Sequence, residues 1–168
     1  TIYNSTYAVL VGARGPSSGG GNVVFTGYLD EVRISRVARW VSSFTPPSSP
    51  YSTVNEEFFN EYDKQSTLGF GTPLLREGAL DGPCYDFNGT SDYISLTAQA
   101  LTGAFTIAMW IKPDDVTSVN LLGLSSANSD YVWITASSEV DLRSSDMTLT
   151  FTDSNITAGV WQYICITR

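Results

Sequence analysis

The chain has no histidine, two cysteines, and nine Lys and Arg against seventeen Asp and Glu in 168 residues. Without histidine there is no Ser-His-Asp or Cys-His constellation, no imidazole metal ligand, and none of the side chain that most often moves protons near neutral pH. The net charge of −8 leaves no basic excess to displace counterions from a phosphate backbone, which argues against nucleic acid as a partner. No apolar run approaches the ~20 residues of a spanning helix, so no membrane insertion is expected. Cys84 and Cys165 each occupy a slot that suits a small core residue, and two buried, unbridged thiols are expected rather than a disulfide.

What remains is 42% hydrophobic and 12% aromatic, enough apolar surface to offset the ordering of a backbone. Only 15% of residues are charged, and Ser, Thr, Gly and Asn fill the gaps, a mixture that suits the outer faces and turns of β-sheets. In Met147–Phe151, Met147, Leu149 and Phe151 alternate with threonines, the pattern of a half-buried antiparallel strand. In 105–111 both faces are apolar, which predicts a central strand, and Trp110 and Trp161 are assigned to the core. Many short strands and almost no helical period predict an all-β protein, a two-sheet antiparallel sandwich.

Alternation along Gly27–Ser35 sends Tyr28, Asp30, Val32 and Ile34 to one face. Asp30 is therefore expected on the inner face, where a carboxylate is costly unless paired or bound to metal. Arg36–Trp40 reads as one amphipathic helical turn loosely capped by Ser35. Thr45-Pro46-Pro47-Ser48-Ser49-Pro50 reads as a stiff spacer, because proline removes amide donors and favours extended geometry. The acidic stretch 51–66 is compatible with a short helix or with irregular chain. The β signal resumes near Gly78 and runs to Arg168, which lies in an apolar strand with no turn after it. The chain is thus expected to belong to a longer repetitive protein.

Four phrases resemble the laminin-G-like (concanavalin A-like lectin/glucanase) jelly-roll family: Phe87–Ile94, Phe105–Pro113, Gly159–Thr167 and, most specifically, Gly27–Ile34. In that family the last of these commonly closes the module, yet here it precedes the opening phrases. About one hairpin that members normally carry is missing between Arg168 and Thr1. The expected organisation is 1–40 as the closing half of one sandwich, 41–74 as a Pro/Ser-rich linker and acidic connector, and 75–168 as the opening half of a second sandwich. The alternative is that both halves form one permuted sandwich, since chain ends often lie close together. Ala38–Trp40 and Phe44–Pro47 also resemble segments that follow such modules in bacteriophage structural proteins.

Glycoside hydrolysis needs only two carboxylates, but sugar-cleaving relatives carry a Glu-x-Asp-x-x-Glu strand motif that is absent here. Glu139 and Asp141 stand two apart with no second Glu at the right offset, so no enzyme is expected. The resemblance implies a structural calcium, which takes oxygen ligands; the candidates are Asp30, Asp92, Asp86 and Asn88. The other reading of the same residues is that Asp30 caps backbone amides and Asp92 fixes a turn. A sugar ring stacks on an aromatic face while its hydroxyls seek Asp and Asn, which makes Tyr131, Trp133, Asp130 and Tyr93 the ligand candidates. The function expected is that of a non-catalytic lectin-like module of an extracellular virion or cell-surface structural protein, such as a phage fibre, tail or capsid-surface protein. Its partners would be a surface glycan or neighbouring subunits in a larger homo-oligomeric assembly. A spacer or assembly module without a ligand is the alternative, and a polysaccharide-active enzyme the third.

Overall fold

The computed structural model describes residues 2–4, 8–15, 23–49, 67–68, 74–77, 83–96, 100–101, 103–124, 131–144, 147–152 and 155–168. Among these residues there are strands and no helix. The first half contributes β1 (Ile2–Asn4), β2 (Val9–Val11), β3 (Ala13–Arg14), β4 (Val23–Val24), β5 (Thr26–Ser35), β6 (Thr67–Leu68) and β7 (Leu74–Glu77). Then come β8 (Pro83–Asn88), β9 (Ile94–Leu96), β10 (Ala100–Leu101), β11 (Thr106–Pro113) and β12 (Val119–Leu124). The last are β13 (Tyr131–Ile134), β14 (Val140–Ser144), β15 (Met147–Phe151) and β16 (Gln162–Thr167).

A five-stranded sheet in the order β16-β11-β5-β8-β7 faces a seven-stranded sheet in the order β15-β14-β13-β12-β2-β9-β6. All pairings in both are antiparallel. Period-2 alternation turns Leu29, Phe87, Ile107, Met109 and Ile111 of the first sheet toward Val11, Ile94, Leu122, Val132, Ile134 and Leu142 of the second. Each such buried side chain contributes about 1.5–3 kcal/mol of transfer free energy. Strands from the beginning of the chain hold interior positions in both sheets: β5 runs between β8 and β11, and β2 between β12 and β9. The Gly27–Ile34 phrase thus finds its neighbours within this chain.

Asp30 is not on the inner face. Between Arg33, opposite Ala108, and Asp30, opposite Trp110, β5 has one residue more than β11, and Glu31 takes φ 49° to absorb it. A bulge of this kind resets the alternation. Leu29 and Val32 both point inward, while Asp30 stays on the outer face opposite Trp110. Trp110 is accordingly half-buried on that outer face rather than in the core, and its ring lies 5.4 Å from Tyr163. Trp161 is also outside the core, half-buried at 6.2 Å from Tyr28.

Residues 36–44 form no helical turn; they lie across this outer face. The Arg39 amide donates to Thr106 Oγ1, whose hydroxyl donates to the Val37 carbonyl, at 2.8 and 2.9 Å. Trp40 and Phe44 stack at 4.5 Å, and both meet Tyr163 edge-on. Five residues are too few to repay helix nucleation, so tertiary contacts with Thr106 and Tyr163 decide the path. The stretch 51–66 lies outside the described residues.

On one flank the seven-stranded sheet ends at β15 and the five-stranded sheet at β16. Leu149 and Phe151 keep the alternation expected of them but are 44% and 39% exposed. Apolar cavities of about 230 and 270 Å³ open there between Val140, Leu142, Phe151, Ile164 and Ile166.

Neither cysteine is in a disulfide; Cys84 is buried and Cys165 half-buried. Burial pushes the Cys165 thiol up to about 11. Since the thiolate is the nucleophile, iodoacetamide should leave Cys165 of the native protein unmodified at pH 8 and react as the pH nears 11. Rapid alkylation at pH 8, read by intact mass, would contradict this. Because the folded value lies above the ordinary 9.0, the contribution of Cys165 to stability is complete below pH 9 and declines as the pH rises toward 11.

Candidate functional site

On the outer face of the seven-stranded sheet two cross-strand rows lie side by side. One runs Asn120–Trp133–Asp141–Thr150 and the other Gly123–Tyr131–Arg143–Thr148, each residue directly opposite the next. The sequence produces these rows by alternation: Val119, Leu122, Val132, Ile134, Val140 and Leu142 take the inner face, and the residues between them must point out. Leu121 is the extra residue of a bulge in β12, and it allows both Asn120 and Gly123 to face outward while Leu121 itself joins the core.

The first row holds polar atoms without partners. Asn120 is fully buried, and neither its amide nitrogen nor its oxygen has a hydrogen-bond partner. The indole Nε1 of half-buried Trp133 and Oδ1 of buried Asp141 are in the same condition. Each such group costs roughly 1–3 kcal/mol, and native proteins leave few of them. Among the described residues, Arg33 Nε and Trp110 Nε1 on the five-stranded sheet likewise lack a hydrogen-bond partner, but only in this row do three neighbouring residues share the condition.

The second row adds charge. Tyr131 is buried, with its ring edge-on to Trp133 at 5.7 Å. Arg143 donates from Nη1 to the Tyr131 hydroxyl at 2.8 Å, and its guanidinium lies 5.7 Å from the ring centroid. The Arg14 guanidinium sits over the same ring at 4.6 Å. Arg14 reaches it because β3 passes directly over β12 at Gly123, where a Cβ would stand 2.7 Å from Arg14 Cβ. Two cations therefore share one tyrosine ring, an arrangement worth about 0.5–2 kcal/mol per cation. The Nε of Arg14 has no hydrogen-bond partner, and among the described residues neither guanidinium has a carboxylate partner.

Of the ligand candidates, Tyr131 and Trp133 meet on this face. Asp130 lies outside the described residues. Tyr93 is half-buried just before β9, with β12 and β2 between it and Trp133. The sequence motifs alone do not point to Asn120, Arg14 or Arg143, and they offer Asp141 only as half of a catalytic pair. The signal for Asn120 was present: a lone amide inside the apolar run Val119–Leu122. Arg14 had none, because the crossing of β3 over β12 brings it there. Glu139, considered with Asp141, precedes β14, and its amide donates to Thr135 Oγ1.

The four calcium candidates separate into turn and sheet. Asn88 Oδ1 accepts from the amides of Thr90, Ser91 and Asp92 at 2.8–3.3 Å. The carboxylate of buried Asp92 accepts from the Asn88 amide and from Asn88 Nδ2 at 3.1 and 3.0 Å. These oxygens are committed to the turn. Asp30 accepts from the Glu31 amide at 2.8 Å, and Asp86 stands opposite Tyr28 on the outer face of the five-stranded sheet. Among the described residues no three acidic or cysteine side chains gather to hold an ion. Asn88 and Asp92 thus lie together in the turn after β8, while Asp30 and Asp86 lie on the outer face of the five-stranded sheet.

Residues 88–168 match the family model of the concanavalin A-like lectin/glucanases superfamily. No curated protein and no solved structure matches the chain significantly. The all-β, two-sheet antiparallel architecture accords with that superfamily's jelly roll. The matched segment carries β9 to β16 and both rows of the site except Arg14, while β2 and β5 come from outside it.

Proposed function

We propose that this sandwich is a non-catalytic, lectin-like module that contacts a glycan through the outer face of its seven-stranded sheet. One observation carries the reading: the buried, unpartnered donors and acceptors of Asn120, Trp133 and Asp141 lie in one row, and the half-buried Trp133 ring is the member of these three that is open to a ligand. Sugar hydroxyls both donate and accept, and a pyranose presents C–H groups to an aromatic face, so a saccharide supplies what this row lacks. Asp141 is the one carboxylate in these two rows, whereas glycoside hydrolysis works through a pair, and this supports the non-catalytic reading. The resemblance of 38–47 to segments of phage structural proteins supports a setting in an extracellular assembly, a virion fibre, tail or capsid surface, or a cell surface. There the module attaches a larger homo-oligomeric protein to its target.

A glycan array followed by titration calorimetry tests this. Saturable binding of at least one saccharide is expected, with Trp133→Ala weakening it by about tenfold or more, near 1.4 kcal/mol, while the melting temperature stays within a few degrees. The rival, a spacer without a ligand, gives no saturable binding on the array.

A further inference from the structure

Resting on that lectin-like reading, we infer that the glycan is carboxylated, and that Arg143 and Arg14 receive its carboxylate while Asn120, Trp133 and Asp141 receive its hydroxyls. The two rows differ in character. One offers neutral donors and acceptors and a single acid; the other offers two guanidinium groups gathered on the Tyr131 ring at 4.6 and 5.7 Å. The chain has nine cationic side chains against seventeen acidic ones. Two of those cations nonetheless converge here without a carboxylate partner among the described residues. A guanidinium presents a planar fork of donors that matches a planar carboxylate in two parallel bonds. Arg143 is exposed and spends Nη1 on Tyr131, so its other donors can meet a ligand.

Spacing agrees with a single sugar residue spanning both rows. Trp133 and Tyr131, like Asp141 and Arg143, are two residues apart on their strands, a separation of about 6.6 Å. That is comparable to the breadth of one pyranose ring carrying a carboxylate on one edge and hydroxyls on the other. Asp141 sets the polarity. An anionic group at the Asn120 end would meet its charge, so the carboxylate must lie at the arginine end and the hydroxyls over Asn120 and Asp141. A neutral sugar leaves the guanidinium pair without a counter-charge and offers it only the weaker neutral acceptors.

The test is binding of uronate oligosaccharides (galacturonate, glucuronate and mannuronate types) beside their carboxyl-reduced neutral counterparts, by calorimetry at low salt. At least one uronate should bind about tenfold or more tighter than its reduced form, the range expected for a charge-assisted hydrogen bond at a partly open site. Arg143→Gln should abolish that preference, so that the uronate and its reduced form bind the variant within about twofold of each other. The same loss with Arg14→Met, at unchanged melting temperature, extends the assignment to the second guanidinium. Equal binding of charged and reduced forms, a preference that survives Arg143→Gln, or equal binding of a sulfated glycan without carboxylates overturns the inference and leaves the lectin reading intact. If neither charged nor neutral saccharides bind, both readings fall.

Discussion

Replacing Gly27 with alanine is expected to cost about 3 kcal/mol or more of stability, moving the urea midpoint down by ~1–3 M. Gly27 has φ +124°, a region that side chains rarely adopt. A Cβ there would stand 2.4 Å from the Lys112 carbonyl oxygen and 2.8 Å from both Asp114 N and Pro113 Cα. All three atoms are backbone, so no side-chain rotation relieves the clash. Strand β5 would have to part from β11 just where Asp114 N donates to the Thr26 carbonyl. β5 lies inside the five-stranded sheet, so its displacement disturbs β8 and β11 together. Gly103→Ala is the control: a Cβ at Gly103 meets nothing within 4 Å, and the midpoint should stay within about 0.5 M of the parent. A Gly27→Ala protein that unfolds at the parent's midpoint would refute the register of β5 against β11.

Gly27 opens the phrase that most specifically resembles the lectin-like family, and its geometry gives a physical reason for glycine at that place. Other parts of the fold were legible for equally simple reasons. The alternating threonines of β15 and the apolar faces of β11 report strand period directly, because a side chain one residue on must point the other way. The same rule misplaced Asp30. Alternation is read across a strand as though unbroken, and the bulge at Glu31 is made by a glutamate at φ 49° with no glycine or proline to announce it. Once that extra residue is inserted, Asp30 and Trp110 both belong to the outer face. Arg36–Trp40 misled for another reason: its local pattern suits a helix, but Thr106 and Tyr163, far along the chain, and the nearby Phe44 ring hold it in another path.

The candidate site divides in the same way. Tyr131 and Trp133 were legible because they sit two apart on a strand beside a polar loop, and their contact follows from period 2 alone. Arg143 and Asp141 become visible only when β14 is placed in register beside β13. Asn120 needs the bulge at Leu121 before its direction is known, and Arg14 needs β3 to cross Gly123. The aromatic half of the site is thus local in sequence, whereas its polar and charged half is assembled by long-range pairing.

Asn120→Leu separates stability from function at that polar half, and it should move the two in opposite directions. Leucine keeps the branching of asparagine at Cγ while removing a donor and an acceptor that are buried without partners. Relief of those unsatisfied groups should stabilise the fold by about 1–3 kcal/mol, seen as a higher urea midpoint at unchanged slope. Glycan affinity should fall by about tenfold or more, since the hydroxyl contacts offered by the amide are lost. An ordinary core position gives a different result: there a polar-to-apolar exchange that stabilises has no bearing on ligand. A surface that served only as a spacer would gain stability with no binding to lose. If Asn120→Leu destabilises the protein, the amide has partners in solution, and the row of unsatisfied groups on which the glycan reading depends does not exist.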